Sequence, residues 1–251
     1  MEKNSVGAEN YKVRSYQMDL KGRLTLTSIA GYLQESAGNH AHEMGFGYAQ
    51  MSKSGMIWVL TRLKIIVHQY PHWRDDLRAE TWVVNREKFF SRRDFEIRSK
   101  SGEILISAIS GWMLLDMKAK RPQLVDSFPM SIDFFPSRLA IDEEINKIKE
   151  LDSLIEEQSY KVIYSDLDIV NHVNNTQYLR IILDAQPFEL RSKYHVKSFE
   201  INYIAEALMN DELKILTQSL NEEHQYLHEI KRTSDQKIIC RAKICWEKDE
   251  E

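Results

Sequence analysis

The sequence predicts an α+β chain built from one unit used twice, each copy a helix followed by a run of antiparallel strands. Two observations carry that expectation. The first is a repeat: Tyr11-Lys12-Val13 returns as Tyr160-Lys161-Val162, 149 residues later. At the same spacing Asp19 falls on Asp168, Arg23 on His172, Leu24 on Val173, Leu33 on Ile182 and Glu35 on Asp184. The spacing then shortens to 136, where Lys64-Ile65 meets Glu200-Ile201 and Asp75-Asp76-Leu77 meets Asp211-Glu212-Leu213, and to 134, where Trp112 meets Trp246. An ordered decline needs only one major deletion and a later slip. The second is that in each copy a stretch of helical apolar spacing gives way to strand-like segments joined by polar turns.

Element by element, the first copy opens on a short strand at Tyr11-Lys12-Val13, and Ile29, Leu33 and Ala37 then recur at helical spacing with Tyr32 beside them. Strands are expected at 58–67, 77–84, 90–98 and 104–115, with Ser99-Lys100-Ser101-Gly102 as a hairpin turn. In the second copy Tyr178, Ile181, Ile182 and Ala185 form the helical stripe, and Pro187 marks its end. Its strands are expected at 195–204, 213–219, 225–232 and 237–246, with Thr233-Ser234-Asp235 in the hairpin position. All nine glycines lie at or before Gly111, so the second copy must turn on Asn, Asp, Ser and Thr. The expected organisation is a domain over 1–136, a connector over 137–159 and a domain over 160–251. Ile145, Ile148, Leu151 and Ile155 give the connector helical spacing.

Composition narrows the class. A hydrophobic fraction of 43% suits a packed core, and a net charge of −4 argues against a general nucleic-acid binder. Residues 1–10 lack the basic start and apolar core of a signal peptide. The longest apolar-rich run, 104–115, is interrupted by Ser107, Ser110 and Gly111 and is shorter than the ~20 residues a membrane helix needs, so no membrane span is expected. Cys240 and Cys245 are an odd number of residues apart, on opposite faces of a strand, and make poor disulfide partners. A reduced cytoplasmic setting follows as the expectation. Asn39-His40-Ala41-His42 has no H-E-x-x-H or cysteine cluster around it and reads as a surface or helix-end histidine pair. Gly45-Phe46-Gly47 lacks a third glycine, and G-x-S-x-G and P-loop strings are absent from the sequence. Neither a metal nor a cofactor is expected.

Residues 166–178 carry the chemistry. They read Asp-Leu-Asp-Ile-Val-Asn-His-Val-Asn-Asn-Thr-Gln-Tyr, with Asp168 four residues before His172 and an apolar helical stripe behind. Asn174 is a natural N-cap, so a helix beginning at Asn174 or Asn175 would aim unpaired N–H groups and a positive dipole end at the loop in front of it. The loop from Asp168 to His172 would then sit directly in front of an anion-favouring helix end. An Asp ordering a turn and a His capping or packing is the bland alternative for the same two residues.

The string D-x-x-x-H-V-N-N-x-x-Y resembles the signature of hotdog-fold thioesterases, and Asp166-Leu167-Asp168 narrows the resemblance to the acyl-acyl-carrier-protein (acyl-ACP) thioesterases of plant and bacterial type. Gly22-Arg23-Leu24, Tyr32-Leu33-Gln34-Glu35, Trp58-Val59-Leu60-Thr61-Arg62 and Arg93-Asp94-Phe95-Glu96-Ile97 look like the family's N-terminal half. The resemblance implies two tandem hotdog domains, the first forming the acyl-chain pocket and the second supplying catalytic side chains. Carried over by position, the family's catalytic Asp falls on Asp168, its His on His172 and its downstream Glu on Glu206. A cysteine often follows that Glu in plant members, whereas Ala207 stands here. The family's Asn two residues after the Asp is Val170 in this chain, so either Asn171 takes that polarising or orienting role in part, the favoured expectation, or the role is lost. The first copy has Arg23 and Tyr70 where the second has His172 and Glu206.

The function implied is hydrolysis of fatty acyl-ACP to free acid and carrier, with Glu206 or Asp168 as general base toward water and His172 orienting. Attack by a carboxylate through an anhydride competes with it. Hydrolysis of acyl-CoA, or acyl binding without catalysis, are the alternatives. The implied partner is an acidic carrier protein bearing an acyl-phosphopantetheine. Lys64, Arg74, Arg78, Arg86, Lys88, Arg92, Arg93, Lys118, Lys120 and Arg121 could receive it, although such residues usually form a solvated face. A homodimer is left open.

Overall fold

The structure is a computed structural model describing residues 5–127, 133–152, 156–220 and 222–249. The chain divides into two compact units, Met1–Ile145 and Asn146–Glu251. In unit 1 the elements run β1 (Val6–Lys12), α1 (Leu26–Met44), α2 (Tyr48–Met51), β2 (Met56–Val67), β3 (Asp76–Glu87), β4 (Phe90–Ser99), β5 (Ile104–Asp116) and the two-residue β6 (Arg121–Pro122). The strands pair antiparallel in the order β1-β3-β4-β5-β2, with β6 on the end of β5. In unit 2 they run β7 (Glu156–Lys161), α3 (Asn175–Asp184), α4 (Phe188–Lys193), β8 (Tyr194–Tyr203), β9 (Glu212–Ser219), β10 (Gln225–Arg232) and β11 (Ile238–Lys248), paired in the matching order β7-β9-β10-β11-β8. This is the expected α+β hotdog plan, stated twice.

The helices form for legible reasons. Thr25 caps α1 by accepting the Ser28 N–H, and Gly45, at φ 86°, ends it in the left-handed conformation. Leu26, Ile29, Leu33, Ala37 and Met44 bury one stripe of α1. In unit 2, Tyr178, Leu179, Ile181 and Ile182 bury the equivalent stripe of α3. The sheet face behind it carries Phe199, Ile201, Cys240, Ala242, Ile230 and Ile215, all buried.

Backbone hydrogen bonds repeat as the sequence does. Val13 N–H donates to the Asp75 carbonyl (3.0 Å), and Val162 N–H to that of Asp211 (2.9 Å). Leu24 donates to Pro71 (2.8 Å), and Val173 to Ala207 (3.0 Å). Tyr11 lies opposite Leu77, and Tyr160 opposite Leu213. Positive φ is supplied in unit 1 by Gly22, Gly45, Gly55 and Gly102, but also by Arg74, Lys88 and Lys120. In unit 2 Asn171 and Asn210 take that role, as a glycine-free copy requires, and so do His224 and Gln236, which turn chemistry did not single out.

The connector differs from expectation. Residues 145–152 contain no helix, and Ile155 lies outside the described residues. In unit 1 the segment 138–145 is a strap over the sheet face opposite α1. The Trp82 indole donates to the Arg138 carbonyl (2.8 Å), and Ala140 N–H donates to Asp94 (2.9 Å). Arg92 donates to the Ile141 (2.7 Å) and Glu143 (3.0 Å) carbonyls while pairing with Asp94 (2.8 Å). In unit 2 the Ile148 N–H donates to Asn202 (2.7 Å), and Asp152 N–H to Gln218 (3.0 Å). The isoleucines have helical spacing, but side chains of the sheets take up the backbone groups a helix would pair internally.

Two other expectations also fail. Arg92 and Arg93 are buried and cannot present charge to a partner. His40 is buried against Arg93 rather than lying at the surface. Cys240 and Cys245 are free and occupy opposite faces of β11, one buried and one partly so. No helix among the described residues is long and apolar enough to cross a membrane.

His228 on β10 is fully enclosed, its Nδ1 3.0 Å from the Thr217 hydroxyl, and burial pulls its pKa down to about 3. The folded value lies below the unfolded one, so the unfolded chain binds a proton first and stability falls between about pH 6.5 and 3, by ~1.4 kcal/mol per pH unit. Denaturant unfolding at pH 7 and 4.5 should therefore show the wild type losing about 2.5 kcal/mol more than His228→Leu over that interval. Parallel losses in the two proteins would rule this out.

Candidate active site

Residues 168–172 close on themselves. Asp168 N–H donates to the His172 carbonyl (2.8 Å) and Asn171 N–H to the Asp168 carbonyl (3.0 Å). The Asp168 Oδ1 accepts the N–H groups of Val170 (2.9 Å) and His172 (3.3 Å). One carboxylate oxygen thus holds the turn. Asn171 sits at φ 66°, and its counterpart 149 residues earlier is Gly22 at φ 72°. Asn is suited to that left-handed position. Its side chain is exposed and hydrogen-bonds to none of Asp168, His172 and Glu206.

His172 and Glu206 do come together. Nε2 stands 3.5 Å from the Glu206 Oε2, longer than a normal hydrogen bond but within ion-pair reach, with side chains 35% and 59% exposed. Glu206 lies beyond β8, in a segment fixed at both faces of the next residue. The Ala207 carbonyl accepts the Val173 N–H, and its N–H donates to the Tyr178 hydroxyl (3.2 Å). Arg232 adds a bond to the Glu206 carbonyl (3.3 Å) while paired with Asp211 (3.0 Å). Burial raises the Tyr178 pKa, so the hydroxyl stays neutral.

The start of α3 is behind them. Asn174 is the N-cap, its Oδ1 accepting the Thr176 N–H (2.9 Å) and its carbonyl the Gln177 N–H (2.9 Å). Two of the first three N–H groups are thereby used, and the Asn175 N–H has no acceptor among the described residues. Tyr203 donates to the Asn175 carbonyl (3.2 Å).

Beneath the loop lies a support that sequence reasoning missed. Asp166 is 1% exposed and accepts from the Tyr160 hydroxyl (2.8 Å), the Ile163 N–H (2.9 Å) and Arg180 (2.6 Å). Its own carbonyl accepts the Asn174 N–H (2.8 Å), which ties the helix cap to this buried anion. The repeated D-x-D was the available signal: one aspartate supports and the other faces the site. Cys240 lies across the ladder from Tyr203, and burial raises its pKa, so it is a protonated core thiol.

Unit 1 has the same turn with different side chains. Asp19 Oδ1 accepts the N–H groups of Lys21 (2.8 Å) and Arg23 (2.9 Å). The Arg23 side chain occupies Oδ2 at 3.2 Å, and its guanidinium lies 5.1 Å from the Tyr70 ring. Both carboxylate oxygens are taken, and Tyr70 stands where unit 2 has Glu206.

A tandem hotdog protein whose titratable site residues converge at one helix start, in the second copy only, is the class this arrangement defines. Residues 4–128 match the model of the acyl-ACP thioesterase N-terminal domain and residues 149–248 that of the C-terminal domain. The chain is 30% identical over 273 residues to oleoyl-acyl carrier protein thioesterase 1 of Arabidopsis thaliana, covering 96% of this chain and 75% of that one. It is 30% identical to a palmitoyl-acyl carrier protein thioesterase of Gossypium hirsutum, covering 84% of this chain but 54% of the relative. An acyl-ACP thioesterase structure from Bacteroides thetaiotaomicron superposes with a TM-score of 0.89 at 30% identity, over 98% of this chain and all of that one. The 12:0-ACP thioesterase of Umbellularia californica gives 0.85 at 26% identity, over 98% of each chain. The chain belongs to the acyl-ACP thioesterase family.

The two aspartates should separate in a stability measurement. Asp166→Ala leaves Arg180, the Tyr160 hydroxyl and the Ile163 N–H without their buried acceptor and should cost about 3 kcal/mol. Asp168→Ala removes an acceptor from half-exposed N–H groups and should cost about 1 kcal/mol. Urea unfolding of both variants checks this; equal losses would contradict the division.

Proposed function

We propose that this chain hydrolyses the thioester of fatty acyl-ACP, releasing the free acid and the carrier's phosphopantetheine thiol. The observation that carries the reading is the approach of His172 to Glu206 beside the Asp168 turn, at a helix start with one uncommitted N–H. Glu206 serves as general base: it removes a proton from water, whose oxygen adds to the thioester carbon. The oxyanion faces the Asn175 N–H, and collapse breaks the C–S bond, the thiolate leaving with that proton. His172 orients the Glu206 carboxylate, and Asp168 holds the turn that presents His172. The support for Glu206 over Asp168 as base is that one Asp168 oxygen is committed to two backbone N–H groups. Residues 1–136 shape the acyl pocket, residues 160–251 carry the chemistry, and 137–159 connect them. The arginine-quenched turn of unit 1 supports that division.

Of the cations expected to meet the carrier, several are neutralised: Lys64 by Glu143, Arg78 by Glu80 (3.0 Å) and Arg86 by Asp126 (2.9 Å). Lys88, Lys118, Lys120 and Arg121 remain exposed, without a carboxylate partner among the described residues. Their turns are neighbours, because Val125 N–H donates to the Lys88 carbonyl (2.8 Å) and Arg121 pairs with Asp116 in the ladder. These four residues receive the acidic carrier.

Steady-state hydrolysis of carrier-bound and CoA-bound acyl chains, with thermal melts, tests the reading. Glu206→Ala and His172→Ala should each lower kcat by about 100-fold or more with little change in Tm. Tyr178→Phe should lower kcat less, about tenfold, by freeing the segment that holds Glu206. Full activity in Glu206→Ala would remove the base. Reversing charge at Lys118 and Lys120 should raise KM for the carrier substrate alone. That effect should fade near 0.15 M salt, where the Debye length is about 8 Å. No turnover of either substrate would favour acyl binding without catalysis.

A further inference from the structure

Unit 1 holds a buried positive charge with no counter-charge beside it among the described residues. Along β4, Arg92 and Asp94 point to the strap face and pair with each other, whereas Arg93 between them points toward α1 and is 4% exposed. One terminal nitrogen of its guanidinium, Nη1, donates to the His40 Nδ1 (2.9 Å) and to the Thr81 hydroxyl (3.1 Å). Both partners are uncharged acceptors. Among the described residues no Asp or Glu reaches Arg93, and its Nε and Nη2 have no acceptor. Burial pulls its pKa down to about 10, which still leaves it charged at neutral pH.

The arrangement is enforced rather than incidental. A Cβ on Gly7 would fall 2.7 Å from the His40 side chain, so only glycine lets α1 lie this close to the sheet and place His40 on Arg93. A buried guanidinium without an anion costs several kcal/mol, and an apolar side chain of similar length would hold the same layers together without that cost. The surroundings continue as apolar packing. Met44, one helical turn beyond His40 on the same face, joins Phe46, Met51 and Leu114 in a buried cluster flanked by Met56 and Trp58. Leu114 in turn lies four residues along β5 from Ser110, the ladder partner of Arg93. Methionines make such a compartment adaptable in shape.

We propose that the open Nε–Nη2 edge of Arg93 is an internal carboxylate-binding site, and that its occupant is a carboxylic acid with an apolar tail. The planar two-donor edge matches a carboxylate. A single cation beside a neutral histidine and a threonine balances a monoanion, not a phosphate dianion. The cluster around Met44 supplies the apolar wall. The anion site stands on unit 1 alone, while the choice of a fatty acid as occupant rests on the hydrolysis proposed above. The site holds the acid; it takes no part in bond breaking.

The test is binding of dodecanoic acid, labelled at its carboxyl carbon, to the full chain, with dodecanol and acetate as comparison ligands. Dodecanoate should bind about tenfold or more tighter than dodecanol. Its carboxyl should titrate about one pH unit or more below the value measured for the acid in buffer. Arg93→Gln, which keeps an amide donor and loses the charge, should abolish both the preference and the shift. If Arg93→Gln does not fold, the wild-type comparison decides alone. Equal affinity for acid and alcohol, or an unshifted carboxyl, overturns the site, and acetate binding as tightly as dodecanoate overturns the apolar tail. A free acid needs no turnover to bind, so a protein that binds it but hydrolyses no thioester would overturn the proposed function and leave the anion site standing.

Discussion

The hydrogen bond from the Val173 N–H to the Ala207 carbonyl is the constraint on which the site depends. It joins the end of the Asp168 turn to the segment after β8, and so brings His172 and Glu206, distant in sequence, to facing positions. Every other fixture acts on one side of that join. Tyr178 holds Ala207 from the helix, Arg232 holds the Glu206 carbonyl, and the buried Asp166 anchors the helix cap through Asn174. His172 and Glu206 are open to solvent while Tyr178 and Asp166, which hold the elements on either side of them, are buried, an arrangement that fixes geometry from beneath.

The matching bond in unit 1, Leu24 to Pro71, holds an equivalent turn around unlike chemistry. Backbone architecture is therefore shared by the two copies, and the difference in capability lies in side chains. Arg23 satisfies the Asp19 carboxylate and rests on Tyr70, while His172 leaves the second oxygen of Asp168 alone and turns to Glu206. Fold and function separate cleanly at this point.

Much of the fold was legible because alternation and helical spacing are strong signals in long elements: the strand expected at 225–232 is β10, and Asn174 is the cap of α3. The repeat placed Glu206 opposite Tyr70, and the structure keeps that register. What escaped was decided by tertiary partners. The connector's isoleucines fit a helix, but Arg92, Asp94, Asn202 and Gln218 draw its backbone out straight. Arg92 and Arg93 look alike in sequence, yet strand alternation sends one to a carboxylate and the other inward to a histidine. Asp166 and Asp168 are likewise adjacent on paper and opposite in role, because only one is buried beside Arg180. Turn chemistry left out His224 and Gln236, where the chain bends without glycine.

The quenched turn of unit 1 has an evolutionary consequence. In an assembly of two identical single-hotdog chains, every substitution appears in both copies at once, so a residue that improves one role is imposed on the other. Covalent tandem linkage lifts that symmetry. Arg23 on Asp19 and the buried Arg93 can then stand in one copy without being imposed on the other. A fused pair is thus free to be asymmetric where a symmetric pair is not.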